Sequence, residues 1–282
     1  MNLCGLVVIG AAAALAGATP LTAQSLLLDR DHPRALWLEV ARPSYRSGIS
    51  GWLAHLGGAY RLSRQFAFVV DLPFGHAEYP PAPCTESCVD TGLPHHQTAL
   101  GDPSLGVRFG LPFRGVDGEL GFRLKALSGG SLWAGSVLNA AGSEGDYSRF
   151  EAFSSLYGSI RFGLTGNVSS SSPLRLRWRV GLMALLGGDG LLDGALDGGV
   201  AVTFERRRVA ASAALNVRKP TMMDDSFYYS ELGLALDYHA GNYAPSVFVR
   251  IPIGTNTAYF RTARYAIGIG LTLRLPDPPE GY

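Results

Sequence analysis

The chain has little charge. Charged residues make up 17% of its 282 positions and the formal net charge is +1, where about a quarter is usual for a soluble domain. No basic tract speaks for nucleic acid, and no acidic tail for a disordered activator. Beyond the N-terminus no apolar run reaches the roughly 18 residues a membrane-spanning helix needs. Cysteine is scarce, with three in all. No G-x-S-x-G motif supplies a nucleophile. Gly187-Gly188-Asp189-Gly190 is not a phosphate loop, because no helix follows it and no Lys is placed to meet a phosphate. What the chain does have is Gly, 36 of them, and 47% hydrophobic residues. The apolar residues are spread by alternation, not gathered into blocks.

The clearest alternation is Pro173 to Gly187. Leu174, Leu176, Trp178, Val180, Leu182, Ala184 and Leu186 share one parity, and Arg175, Arg177, Arg179 and Gly181 share the other. A helix would scatter the arginines round its circumference. A strand puts grease on one face and cations on the other, because successive side chains point opposite ways. The run is long for a strand in a soluble sheet. It suits a strand that crosses a membrane at a slant, with lipid on one side and a polar lumen on the other.

About twelve segments repeat the pattern: 35–42, 50–62, 65–74, 100–111, 119–127, 152–164, 173–187, 196–205, 208–218, 228–239, 246–253 and 264–275. Every second link is short: Ser63–Arg64, Pro112–Gly118, Thr165–Pro173, Arg206–Arg207 and Ala240–Asn242. The links between them are mostly longer, notably 75–98 and 128–148. Short periplasmic turns and longer outside loops are the habit of outer-membrane barrels. Outward aromatics fall near both ends, such as Trp52, Phe74, Tyr228 and Tyr265 at the loop end and Tyr60, Phe66, Trp178 and Tyr238 at the turn end; two such belts mark two membrane interfaces. The fold expected is all-β: a transmembrane antiparallel up-and-down β-barrel of about 12 strands over 35–275, with a C-terminal tail at 276–282.

The N-terminus reads as a cleaved secretory signal over 1–23. Leu6–Ala18 is apolar and small, and Leu21-Thr22-Ala23 precedes a cut at Ala23/Gln24. Residues 24–34 are then an N-terminal segment, periplasmic or plugging the lumen. Cys4 leaves with the signal. Cys84 and Cys88 remain, and an oxidising compartment makes a small disulfide loop their natural state. A zinc site using Cys84, Cys88, His95 and His96, with His76, is the alternative, but metal spacings show tighter Cys pairs. No metal or cofactor is expected.

Inward positions are small or charged. Gly106, Gly110, Gly121, Gly163, Gly181, Gly233, Gly268 and Gly270 leave the lumen unfilled. Lumen-facing charges include Arg108, Arg123, Lys125, Arg161, Arg175, Arg177, Arg179, Glu205, Glu231 and Asp237. The cations outnumber the acids, which favours anions in a confined pore. Equally, the charges can pair across strands and brace the wall, since a buried charge needs a partner. Counting back from the Gly187–Gly194 loop places Glu205 roughly opposite Arg175 or Arg177. An enzyme would need His76, His95 or His96 to meet Asp90, Asp102 or Ser87, near the outer rim.

The fourth segment carries a resemblance. Ala99-Leu100-Gly101-Asp102-Pro103-Ser104-Leu105-Gly106-Val107-Arg108-Phe109 resembles the G-x-G-D-x-x-L-G-x-(K/R)-(Y/F) strand of outer-membrane proteins encoded with phenol meta-cleavage pathways. Ala99 replaces the first glycine. The resemblance implies a transporter of hydrophobic or aromatic compounds. Gly101 and Asp102 would sit where a long loop re-enters the wall, and the carboxylate could order that loop by accepting backbone N–H bonds. Expected partners are outer-membrane lipid, the barrel-assembly machinery during biogenesis and a small-molecule solute, with no nucleic acid. A non-conducting structural or surface-binding barrel is the second functional reading.

Overall fold

A computed structural model describes residues 34–45, 48–63, 65–78, 96–112, 115–124, 152–153, 158–169, 173–187, 190–221, 228–255 and 263–276. The expected signal, most of the expected N-terminal segment, Cys84, Cys88, His95 and Lys125 lie outside them. Nearly every described residue is extended. The strands are β1 (Arg34–Tyr45), β2 (Ser50–Arg61), β3 (Phe66–Glu78), β4 (His96–Leu100), β5 (Ser104–Gly110), β6 (Val116–Arg123) and β7 (Gly158–Ser169), then β8 (Leu174–Gly187), β9 (Gly190–Arg206), β10 (Val209–Pro220), β11 (Tyr229–Tyr238), β12 (Tyr243–Thr255) and β13 (Ala263–Arg274).

Every pairing is antiparallel, each strand pairs with its neighbour in sequence except that β4 and β5 both pair with β3, and β1 pairs with β13. The sheet therefore closes on itself. Thirteen strands make twelve staves, because β4 and β5 lie end to end along β3. Most staves hold about a dozen residues, which at about 3.3 Å each and a tilt of about 40° rise about 30 Å, the thickness of a bilayer's hydrocarbon.

The two faces differ as the alternation requires. Leu271, Leu38, Leu56 and Leu72 sit side by side across β13, β1, β2 and β3, and each is between 37% and 44% exposed. Ile269 and Leu182 reach 63% and 55%. An apolar surface this continuous does not survive in water on a monomer. One residue along, Glu39 lies opposite His55, and both are buried.

Several sequence-based boundaries change. The fourth segment is broken at Gly101-Asp102-Pro103, and the chain is already paired from His96. Proline cannot join the ladder, so the break follows from Pro103. The fifth strand starts earlier and its described part ends at Arg123, which leaves Phe122 near the far end of β6. Most of the supposed Gly187–Gly194 loop is strand, with Gly187 paired to Gly190. The sixth strand begins at Gly158, not at Ala152. Ala152 and Phe153 belong instead to a piece of chain tucked inside the barrel, 0% and 3% exposed.

The inward glycines are not all empty space. Trp37 opposes Gly57 and Phe248 opposes Gly268. A Cβ on either glycine would lie 2.2 Å or less from the facing ring. Each glycine is a seat for a ring from the next strand, the pairing that rescues glycine in curved sheets.

Candidate functional site

The site is the lumen. It is built in layers, because each strand contributes every second residue and the register fixes which ones meet. At the short-turn end, Arg175 Nη2 donates to Glu205 Oε2 at 2.8 Å and His239 Nδ1 lies 3.4 Å from Glu205 Oε1. The group is about a third exposed on the carboxylate side. Above it Arg177, fully buried, points Nη2 at Thr203 Oγ1 at 3.3 Å, and Thr203 bonds Ser212 at 2.9 Å.

The middle layer centres on Asp197. Its carboxylate accepts from Arg161 and lies 3.9 Å from both Arg179 and Arg218. Glu119 opposes Arg108 directly on β5 and β6, and also feels Arg161 and Arg179. Across the lumen Arg250 pairs with Glu39 and lies over the Phe248 ring, 4.8 Å from its centre. Glu231 and Asp237 are 2% and 4% exposed. A void of about 10 Å³ bounded by Arg179, Asp197, Asn216, Arg218 and Glu231 is at the lower bound for a single water.

The outer layer joins charge to grease. Asp71 Oδ2 lies 3.1 Å from His55 Nδ1 and 3.7 Å from Arg123 Nη2. Arg123 Nη1 also donates to the carbonyl of Asp102 at 2.6 Å. The Phe153 ring meets the edge of His55, centres 6.0 Å apart, and packs with Tyr45, Ile49, Leu53, Ala77, Ala152 and Ala263 in one apolar cluster. The Asp102 amide donates to the Ala152 carbonyl at 2.7 Å. Gly101 faces that carbonyl so closely that a Cβ would sit 2.3 Å from it.

The sequence-based excess of cations does not hold for the buried interior. Among the described residues seven arginines and seven carboxylates are buried. Arg161, Arg179 and Arg218 meet Asp197, Arg123 meets Asp71 and Arg250 meets Glu39, so the buried fixed charge that would select ions in an open pore is balanced in number. Arg108, Arg123, Arg161, Arg177, Arg179, Glu231 and Asp237 all lie in this buried set, while Arg175 and Glu205 lie nearer the mouth. Phe153 and Tyr45 were missed. A phenylalanine just outside a Gly- and Ser-rich stretch has no period to place it.

At the outer rim, on the lipid-facing side, His76 Nδ1 lies 2.7 Å from Thr98 Oγ1 and Nε2 lies 3.0 Å from Glu78 Oε1. Of the partners suggested for it, Asp102 is buried beside Ala152, and Ser87 and Asp90 lie outside the described residues. No three His, Cys, Asp or Glu side chains gather to hold a metal among the described residues.

Solved structures share this architecture at low sequence identity. An outer-membrane channel from Pseudomonas putida F1 superposes with a TM-score of 0.58 at 7% identity, over 91% of this chain and 99% of that one. The fold is that of an outer-membrane β-barrel. The NanC porin matches with a TM-score of 0.53 at 10% identity, over 85% and 100% of the two chains. The translocator domain of the autotransporter NalP from Neisseria meningitidis matches at 0.52 and 11%, over 88% and 90%. Identities this low speak for the fold and not for a shared task. No family model and no curated protein matches the chain.

Proposed function

We propose that the chain is a narrow channel of the bacterial outer membrane that passes small, largely apolar solutes. The observation that carries the reading is the apolar cluster of Tyr45, Ile49, Leu53 and Phe153 inside the loop end of the lumen. A wall that needed only bracing would be braced by its ion pairs, and a buried apolar layer beside them adds nothing to that bracing. An apolar mouth offers a first seat to a solute that leaves water readily. The resemblance of Ala99–Phe109 to transporters of aromatic compounds points the same way, as does the channel role of the Pseudomonas protein. The signal, the disulfide between Cys84 and Cys88 and the loop-ordering role of Gly101 and Asp102 are parts of the same proposal.

The seven-against-seven balance of buried charge favours a second reading, a barrel held shut as a structural or surface-binding element. Planar-bilayer recording separates the two. The channel reading predicts small unitary steps, and a larger step on Phe153→Ala, which empties the centre of the apolar cluster. A flat trace from both proteins contradicts it and favours the closed barrel.

A further inference from the structure

We infer that the β9–β10 turn is a binding site for an anionic phospholipid of the leaflet at the short-turn end. Arg206 pairs with Val209, so Arg207 and Arg208 alone make the hairpin turn. Arg207 has a φ of 58°, and it is the single non-glycine with positive φ among the described residues. Two-residue hairpins place glycine where the first turn residue needs that conformation. Gly48, Gly115 and Gly241 take it elsewhere in this chain. Here the chain holds an arginine in a backbone state that a bulky side chain resists.

The strained arginine is one of three. Arg206, Arg207 and Arg208 are all exposed, and with Phe204, Val209 and Ala211 they border a shallow hollow of about 620 Å³. Phe204 and Val209 are 43% and 42% exposed and lie on the lipid-facing parity. Glu205, the carboxylate in the same stretch, is turned to the opposite face and held by Arg175 at 2.8 Å, so it does not neutralise the group. A ligand that satisfies both halves needs a phosphate and an acyl chain. Guanidinium forks match phosphate oxygens in pairs, and the apolar side of the hollow continues into the membrane-facing band. The inference rests on the membrane reading, because only that reading brings lipid to this edge.

The test adds phosphatidylglycerol or phosphatidylcholine to the full chain folded in detergent and reads bound lipid by native mass spectrometry. Arg207→Gly removes one cation and suits the turn, so the barrel stays folded. A cation at a membrane surface contributes about fivefold in binding. Arg207→Gly is expected to weaken phosphatidylglycerol about fivefold, and Arg206→Gln, Arg207→Gly and Arg208→Gln together about a hundredfold. Phosphatidylcholine binding, and the effect of Arg264→Gln at the other rim, are expected to stay within twofold. Equal phosphatidylglycerol binding by wild type and the triple variant overturns the inference, as does an equal loss for both lipids. Folding into detergent micelles, read by heat-dependent gel migration, is scored separately. If it fails for wild type, the membrane reading itself is at fault; if it succeeds and binding is unchanged, only the lipid site is.

Discussion

At the scale of the residue, the lumen is governed by the cost of burying charge. Asp197 is the common partner of Arg161, Arg179 and Arg218. Asp197→Asn leaves three buried guanidinium groups facing one another, and removing one partner of a buried ion pair costs about 3–5 kcal/mol. Urea unfolding in lipid vesicles is expected to show a loss of that size. Arg175→Ala, at the partly exposed short-turn end, is expected to cost less than about 1 kcal/mol. Part of this was legible beforehand. Arg175 and Glu205 lie on strands joined by one hairpin, so counting residues brought them to within two positions; Arg175 opposes Thr203 and reaches Glu205 diagonally. Asp197 gathers arginines from β7, β8 and β10. Finding that set requires the register of three neighbouring strand pairs at once, and no single stretch of sequence carries it.

At the scale of the element, the period-2 pattern located the staves, but it could not say where each one stops. Alternation fades wherever a strand leaves the lipid, so β3 and β4 continue to Glu78 and from His96 through residues that no longer alternate grease with ions. The break at Gly101–Pro103 was visible as a proline at a strand start. Its cause on the other side, the Ala152 carbonyl against Gly101, comes from a distant loop. Glycine seats are a property of pairs of strands in the same way. Gly57→Ala puts a methyl group into the Trp37 ring, whereas Gly163→Ala would meet nothing closer than the Val180 carbonyl at 3.5 Å. Gly57→Ala is expected to destabilise the barrel by about 1–3 kcal/mol and to alter the near-ultraviolet circular dichroism. Gly163→Ala is expected to leave both unchanged.

At the scale of the whole molecule, one arrangement explains the composition. Low charge, abundant glycine and the absence of long apolar runs are what a closed wall with lipid outside and paired ions inside requires. The class of fold was legible for that reason: the solvent on each face writes itself into every strand. The contents of the lumen were less so, because whether inward charges stand free or cancel depends on how the strands close. The most direct test of the two-faced wall is the unfolding free energy in phosphatidylcholine vesicles of Leu234→Arg, a lipid-facing substitution in β11 that touches no lumen residue on its own parity. The account predicts a loss of about 2–4 kcal/mol, as for a cation placed near the bilayer midplane. Unchanged stability, with a chain that stays dissolved without detergent, would contradict it.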